Sequence, residues 1–401
     1  MLSSALSPSP PGLFVALLLL LGACVGHVAL MVRLHNWFYG TVLDHHRNDL
    51  CRLGVYGLIV AGPAALLYLA WAHPTVLTAP LDSPGHWGLA LAAYLVLCLA
   101  VGFVLLPAVT AYRLLRRPPA ALESNHSQIL DVAKELGYRP AGHGKYRPLT
   151  ALPGNEVFQV ELAERTLRVP GLPPAWDGLS ILHLSDLHLC GSPDRAYFEH
   201  VMNRCAAWEP DLVALTGDLV DSWHHHRWLL PLLGRLRWRE AALAILGNHD
   251  YYFDPPLLRR RLERLGIHYL GNSWRQLEVR GEPLVVIGHE GPWRKPEPDL
   301  SDCPSDLFRL CLSHTPDNIA WARRHQIDLM LSGHVHGGQI RLPWIGSILV
   351  PSRYGRRYDC GTFAEAPTLL HVSRGVSGEH PLRYHCKPEV TLLTLWPAVP
   401  Q

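Results

Sequence analysis

Five short polar blocks in the second half of the chain concentrate residues able to hold metal ions. They are Ser185-Asp186-Leu187-His188, Gly217-Asp218-Leu219-Val220-Asp221, Gly247-Asn248-His249-Asp250, Ser313-His314 and Gly333-His334-Val335-His336-Gly337-Gly338. Two carboxylates, one amide and four imidazoles exceed the needs of one tetrahedral ion and suit two divalent ions sharing a bridging ligand. No thiolate stands among them, so Mn2+, Fe2+ or Zn2+ is expected rather than a cysteine-held zinc. Two dications against two carboxylates leave the cluster positive, which draws in a phosphate mono- or diester. Coordination lowers the pKa of water from about 15.7 to about 7 in favourable cases, and ions about 3.5–4 Å apart hold the attacking and leaving oxygens together. Hydrolysis of a P–O bond by a metal-bridging hydroxide is the chemistry such a set would perform.

Ligands of this kind need rigid supports, and each block closely follows an apolar run. The runs are Leu179–Leu184, Leu212–Leu215, Ala242–Leu246, Leu307–Leu312 and Leu329–Leu331, with others at Leu284–Ile287, Thr368–Val372 and Val390–Leu395. Most are continuously apolar, as in strands covered on both faces. The D-x-H and H-x-H pairs fit extended backbone meeting a bend, and the flanking glycines let backbone approach an ion. Helix starts fall between the runs: Ser192-Pro193-Asp194 and Thr315-Pro316-Asp317 offer a hydroxyl cap followed by proline, and Pro255-Pro256 precedes Leu257–Leu265, which stops at Gly266. Strand, polar loop and helix alternate, and the last third is richer in strands. Two packed sheets flanked by helices are expected, an α/β domain rather than one open parallel sheet.

In order and wording, "HLSDLHL", "LTGDLVD", "LGNHDYY", "LSHTPD" and "LSGHVHGGQIRLP" resemble the calcineurin-like metallophosphoesterase family over residues 177–395. The resemblance is to its bacterial, membrane-attached, phosphodiesterase-like branch, whose C-terminal ending "HVSRGVSGEHPLRYHCKPEVTLLTL" is similar to. It implies an αββα sandwich in which Asp186, His188 and His336 bind one metal, Asp218 bridges both, and Asn248, His314 and His334 bind the second. His249 would contact the phosphoryl group and assist the leaving group, with Asp250 holding its ring. Asp221 is expected to support the site from behind. Some relatives cleave the pyrophosphate of UDP-2,3-diacylglucosamine, which suggests a lipid-linked substrate here. The alternatives are a phosphodiesterase or phosphatase acting on soluble nucleotides or proteins, and a metal-stabilised membrane sensor or scaffold without turnover.

The 401 residues exceed one ordinary core, and the composition divides near residue 118. Before it stand six Arg, three Asp and neither Lys nor Glu; after it, 30 basic and 31 acidic residues are interspersed, with 18 of the 24 histidines. Three uncharged runs, 12–32, 53–72 and 87–112, are each long enough to cross the ~30 Å hydrocarbon core, so residues 1–117 are expected to form a three-helix membrane domain. The first charge, Arg33, follows the first run, which argues against a cleaved signal peptide. Arg33, Arg47 and Arg52 lie in the first loop and Arg113, Arg116 and Arg117 after the third run, whereas the loop 73–86 carries only Asp82. The positive-inside rule then places the catalytic domain in the cytoplasm, on an integral plasma (inner) membrane protein whose partners are the lipid bilayer and a phosphoester. No nucleic-acid partner is expected. Residues 118–155 are expected to be a linker or collar with one short helix over 127–136, ahead of a catalytic domain over 156–401. The nine scattered cysteines are expected to be reduced.

Among other residues, His224-His225-His226 is expected to be the exposed start of a helix, and the Arg259, Arg260, Arg261 and Arg264 cluster to face solvent. His289-Glu290 is a candidate for shaping the pocket, and Arg353, Tyr354, Arg356 and Arg357 for touching substrate.

Overall fold

The computed structural model describes residues 10–40, 45–72 and 86–398. The chain divides into two units between Arg117 and Pro118, where the composition changes. In the first, α1 (Pro10–Tyr39) and α2 (His45–Ala72) are followed by α3 (His86–Ala100), which passes through one π turn (Val101–Leu105) into α4 (Leu106–Leu115). Leu13–Phe38, Leu50–Ala72 and Gly88–Leu115 are long and apolar enough to cross a bilayer. Phe14, Leu21, Leu53, Val60, Tyr68 and Val104 point outward from these helices, the pattern of a bundle whose surroundings are apolar. Residues 73–85, whose single charge enters the orientation reading, lie outside the described residues.

The second unit begins with a strand where a linker was expected. β1 (Leu122–Asp131) pairs antiparallel with β2 (Gln159–Val169), and only Val132–Leu136 (α5) is helical. Ser, Asn and His at 124–127 are weak helix formers, and β2 offers an open edge. Side-chain bonds close the pair: Ser124 Oγ donates to Thr166 Oγ1 at 2.8 Å and Arg165 Nε to Asn125 Oδ1 at 2.9 Å. Its largely exposed, polar face suits a sheet margin.

Then follow β3 (Leu179–Leu184), α6 (Arg195–Ala206), β4 (Leu212–Thr216), α7 (Leu229–Leu233), β5 (Ala241–Ile245), α8 (Pro255–Arg264), β6 (Ile267–Tyr269), β7 (Trp274–Val279), β8 (Glu282–His289), β9 (Arg309–Ser313), α9 (Ile319–Arg324) and β10 (Leu329–Ser332). A small hairpin, β11 (Arg341–Leu342) and β12 (Gly346–Ser347), precedes β13 (Gly361–Glu365), β14 (Thr368–Val372) and β15 (Glu389–Pro397). One sheet runs β1-β2-β15-β3-β4-β5-β6, the other β13-β14-β10-β9-β8-β7. α6 begins at Arg195 with the Asp194 carboxylate accepting from Tyr197 N, so its cap is Asp194 and not the hydroxyl of Ser192. Thr315 does cap its turn, accepting from Asp317 N.

Strand alternation sorts the core into layers. Leu179 and Ile181 of β3, Leu212 and Ala214 of β4, Leu329 and Leu331 of β10 and Leu369 of β14 form the layer between the sheets. Leu182 and Leu184 face the other way, into the layer beneath α6, α7 and α8, while Leu370 and Val372 join the layer that includes Ile319 and Trp321 from the α9 side. Strands β3, β4 and β5 are parallel, as are β8, β9, β10 and β14, so each sheet ends in a row of loops at its C-terminal edge. Below those loops the layer between the sheets turns polar. Arg165 lies 2.7 Å from Glu389, and the rings of His183 and His371 meet edge to face at 5.4 Å. Burial depresses both imidazoles, His183 to about 4. All nine cysteines are free.

Candidate metal centre

Each polar block leaves the end of a parallel strand. Asp186 and His188 follow β3, Asp218 follows β4, Asn248 follows β5, His314 follows β9, and His334 and His336 follow β10. The turns are tight enough that Asp186, His188, Asp218, His334 and His336 all have positive φ, between 44° and 68°. A Cβ on Gly333 would overlap Ser185 Oγ and Asp186 Oδ2, and one on Gly247 would overlap the Asp218 carboxylate. At both positions only glycine lets one loop lie against another loop's ligand.

Two groups of donors result. Asp186, His188 and His336 bring one atom each within 4.8 Å of one another, and so do Asp218, His314 and His334. His188 Nε2 lies 3.1 Å from His336 Nε2 and 3.6 Å from both Asp186 Oδ1 and Asp218 Oδ2, so Asp218 stands between the groups. Asn248 Oδ1 lies 3.1 Å from His314 Nε2, adding the amide to the second group.

The protons on these rings are fixed from behind, and that tests whether cations fit. His314 Nδ1 donates to the Thr216 carbonyl at 2.7 Å, so Nε2 is the nitrogen turned to Asp218 Oδ2 at 3.2 Å and to Asn248 Oδ1. His188 Nδ1 donates to Asp221 Oδ2 at 2.7 Å, which likewise turns its Nε2 toward the carboxylates. His334 Nε2 is buried without a hydrogen-bond partner. Burial would lower His188 and His314, but the facing carboxylates raise both, His314 to about 8, so without metal a second proton sits where these atoms converge, and a divalent cation in each group would take its place. The residues present therefore fit two divalent ions.

The electrostatics agree. Burial works against ionising Asp186, Asp218 and Asp221, yet the surrounding imidazoles hold all three well below the usual carboxylate range. Burial pushes His336 down to about 3 and His334 down as well, leaving neutral rings with lone pairs to give. His249, like His188 and His314, goes the other way: burial would lower it, but the Asp221 and Asp218 carboxylates raise it to about 9.

His249 is positioned by a different residue from the one expected. Its Nδ1 lies 2.7 Å from Asp221 Oδ1, and the same carboxylate holds His188, so Asp221 ties a candidate ligand to the candidate proton donor. Asp250 instead turns beneath the loop and accepts from the backbone N–H groups of Leu219, Val220 and Gly247 at 2.8–3.0 Å. Neighbours in a helical turn point apart, and Asp250 starts one, which is why it cannot reach the ring beside it.

Other expectations are redirected too. Glu290 is buried and accepts from Leu246 N at 2.7 Å and from the hydroxyls of Tyr251 and Tyr269, which pins the 246–251 loop rather than lining a pocket. His289 packs edge-on against Trp321 of α9. His226 is buried in a short turn, with Arg261 donating to its carbonyl. Arg357 pairs with Glu365 at 3.0 Å and Arg356 donates to the Ile345 carbonyl. Sequence reasoning missed Trp293, whose ring lies 5.6 Å from that of His314 and 4.7 Å from that of His334, and Arg383, which donates to the carbonyls of His336 and Ser377. Neither falls within a polar block, so only the folded chain reveals them.

Residues 179–338 match the family model for calcineurin-like phosphoesterases. A metallophosphoesterase of Bacillus subtilis, YkuE, is 31% identical over 249 residues, covering 60% of this chain and 87% of the relative. The chain belongs to the calcineurin-like metallophosphoesterase family. It is thus a phosphoester hydrolase, and its three apolar helices make it a membrane protein. The phosphodiesterase YaeI of Escherichia coli is 31% identical over 54% of this chain and 81% of its own length. The UDP-2,3-diacylglucosamine pyrophosphatase LpxG of Chlamydia muridarum is 24% identical over 54% of this chain and 83% of its own length.

Proposed function

We propose that this metallophosphoesterase hydrolyses a phosphodiester or pyrophosphate bond of a lipid-linked substrate at the cytoplasmic face of the plasma membrane. The observation that carries the two-metal reading is the convergence of His314 Nε2, Asp218 Oδ2 and Asn248 Oδ1 within 3.2 Å of the imidazole nitrogen. Asp186, His188 and His336 would hold one ion, Asn248, His314 and His334 the other, with Asp218 shared. Bound there, Mn2+, Zn2+ or Fe2+ supplies Lewis acidity toward the phosphoryl oxygens and lowers the pKa of water toward neutrality.

The chain's own groups do the rest. Thr216 and Asp221 fix the tautomers of His314 and His188, keeping their Nε2 lone pairs directed inward. His249 has 27% of its side chain exposed, enough to meet a substrate, and the Asp221 carboxylate 2.7 Å from its Nδ1 favours the protonated ring. From there it donates a proton to the departing oxygen. Trp293 walls the second group and limits its access to water. Arg33, Arg47, Arg52, Arg113, Arg116 and Arg117 favour a cytoplasmic catalytic unit. The lipid-linked substrate rests on the membrane spans and on the similarity to LpxG.

The test uses full-length protein in nanodiscs, stripped by chelator and reloaded with Mn2+, Zn2+ or Mg2+. Metal-dependent turnover of bis-(p-nitrophenyl) phosphate is expected, abolished in Asp218→Ala. A bilayer-embedded nucleoside diphosphate lipid should then exceed a soluble nucleoside diphosphate sugar by at least about tenfold in kcat/KM. Equal turnover of the two would refute the lipid-linked reading and leave a phosphodiesterase of soluble substrates. Alkaline-phosphatase activity from a C-terminal fusion would refute the cytoplasmic placement.

A further inference from the structure

The β11–β12 hairpin begins five residues after His336 and has two unlike ends. Its base is fixed. Arg341 Nη1 donates to Asp359 Oδ2 at 2.9 Å, Ser347 Oγ donates to the same oxygen, and Arg341 N donates to the Tyr384 carbonyl at 2.9 Å. Its tip is apolar and turned outward. Trp344 is 82% exposed, Ile340, Leu342, Ile345 and Leu349 are exposed beside it, and residues 342–350 contain no charged side chain. None of these five apolar side chains belongs to the core layers of the second unit, which the chain rejoins at Val350. Single exposed apolar residues are ordinary, but five within ten positions on one hairpin are a concentration of the kind that marks a partner.

Two further features say what the partner is. Trp344 sits at a φ of 60°, a backbone conformation unfavourable for a bulky residue, so the turn presents an indole at a position where glycine would be easier. Arginines accompany the tip: residues 341–358 carry four, of which Arg341 pairs with Asp359 and Arg357 with Glu365, while Arg356 reaches the hairpin itself, donating to the Ile345 carbonyl at 3.2 Å. Indole and aliphatic side chains flanked by arginines match the boundary between acyl chains and anionic headgroups. The membrane spans keep a bilayer within reach of the domain, which raises its effective concentration.

We propose that the 340–349 hairpin and the arginines beside it form a docking surface for an anionic phospholipid bilayer, with Trp344 entering the headgroup layer. The surface follows directly on the His334–Gly338 loop, so a docked hairpin brings the rim of the metal centre to the lipid interface.

Full-length protein in nanodiscs, with brominated or ordinary acyl chains, tests this without turnover. The difference in emission between wild type and Trp344→Phe isolates Trp344. In phosphatidylcholine with phosphatidylglycerol, that component should be quenched about twofold by brominated chains, and less in phosphatidylcholine alone or at high salt. Identical quenching of wild type and Trp344→Phe would overturn the proposal. A dimer lost in Trp344→Asp, with no quenching, would assign the face to a second copy and overturn it too. Trp344→Phe should leave turnover of bis-(p-nitrophenyl) phosphate unchanged, and a raised KM for that soluble diester would instead place the indole in the substrate cleft.

Discussion

Replacing Asp221 by Asn separates ligand holding from proton delivery. The carboxylate spans two imidazoles, each at 2.7 Å through its Nδ1, with 4% of its side chain exposed. An amide of the same shape accepts from one ring only and turns its N–H2 toward the other. One charge-assisted contact, on the order of 2–3 kcal/mol, is therefore lost, and the abandoned ring adopts the tautomer with its proton on Nε2. If that ring is His188, a ligand is blocked and metal affinity should fall about 10–100-fold. If it is His249, affinity is kept and proton delivery fails. About 2–3 kcal/mol corresponds to roughly 30–150-fold in rate. The assay is kcat at saturating Mn2+ for two diesters, one with a p-nitrophenyl leaving group and one with an alkyl alcohol. The nitrophenolate departs without a proton and should lose little; the alcohol should lose the full factor. Equal losses on both esters, or none on either with Mn2+ affinity also unchanged, would refute the role given to the Asp221–His249 contact.

The same contact sets a titration. In chelated protein the His249 imidazole should titrate near 9 by NMR and fall toward the ordinary value of about 6.5 in Asp221→Asn; since its folded pKa is raised, its stabilising contribution is complete below about 6.5 and lost as pH rises through about 9. His183 works in the opposite sense, being depressed to about 4: the fold loses on the order of 3 kcal/mol from this group as pH falls from about 6.5 to about 4, and His183→Gln should shift acid unfolding to lower pH. Gly333→Ala should lower metal content at a fixed Mn2+ concentration and destabilise by about 1–3 kcal/mol, because its Cβ meets Ser185 and Asp186; denaturant midpoints and elemental analysis check both. Glu290→Gln should lower kcat more than metal content, since it loosens the 246–251 loop while touching no candidate ligand.

Much of the centre was legible because its chemistry is local. A strand followed within four residues by Asp186 and His188, or by His334 and His336, states both the donor and its support. The two-sheet core was equally plain in Leu212–Leu215 and Leu329–Leu331, whose unbroken apolarity admits no solvent face. What the sequence withheld depends on contacts between distant segments. Asp221 is three residues from Asp218 but 28 from His249, and nothing local told it apart from Asp250, the nearer carboxylate. Glu290 read as a pocket residue because it ends a strand, whereas its partners are two tyrosines and an amide from other loops. Residues 127–131, the second half of β1, read as the start of a helix because the order of that strand comes from the open edge of β2 and not from its own residues.

Five of the seven candidate ligands occupy backbone conformations that L-residues adopt reluctantly, at about 1 kcal/mol or more each. Glycine would sit more comfortably at every one of them. A screen that rewarded thermal stability alone should therefore enrich substitutions such as Asp186→Gly or His334→Gly and return tougher proteins with emptied sites. In this chain the sandwich beneath the loops carries surplus stability on behalf of its own mouth, and the route to a more robust enzyme runs through the strands and helices, away from those five positions.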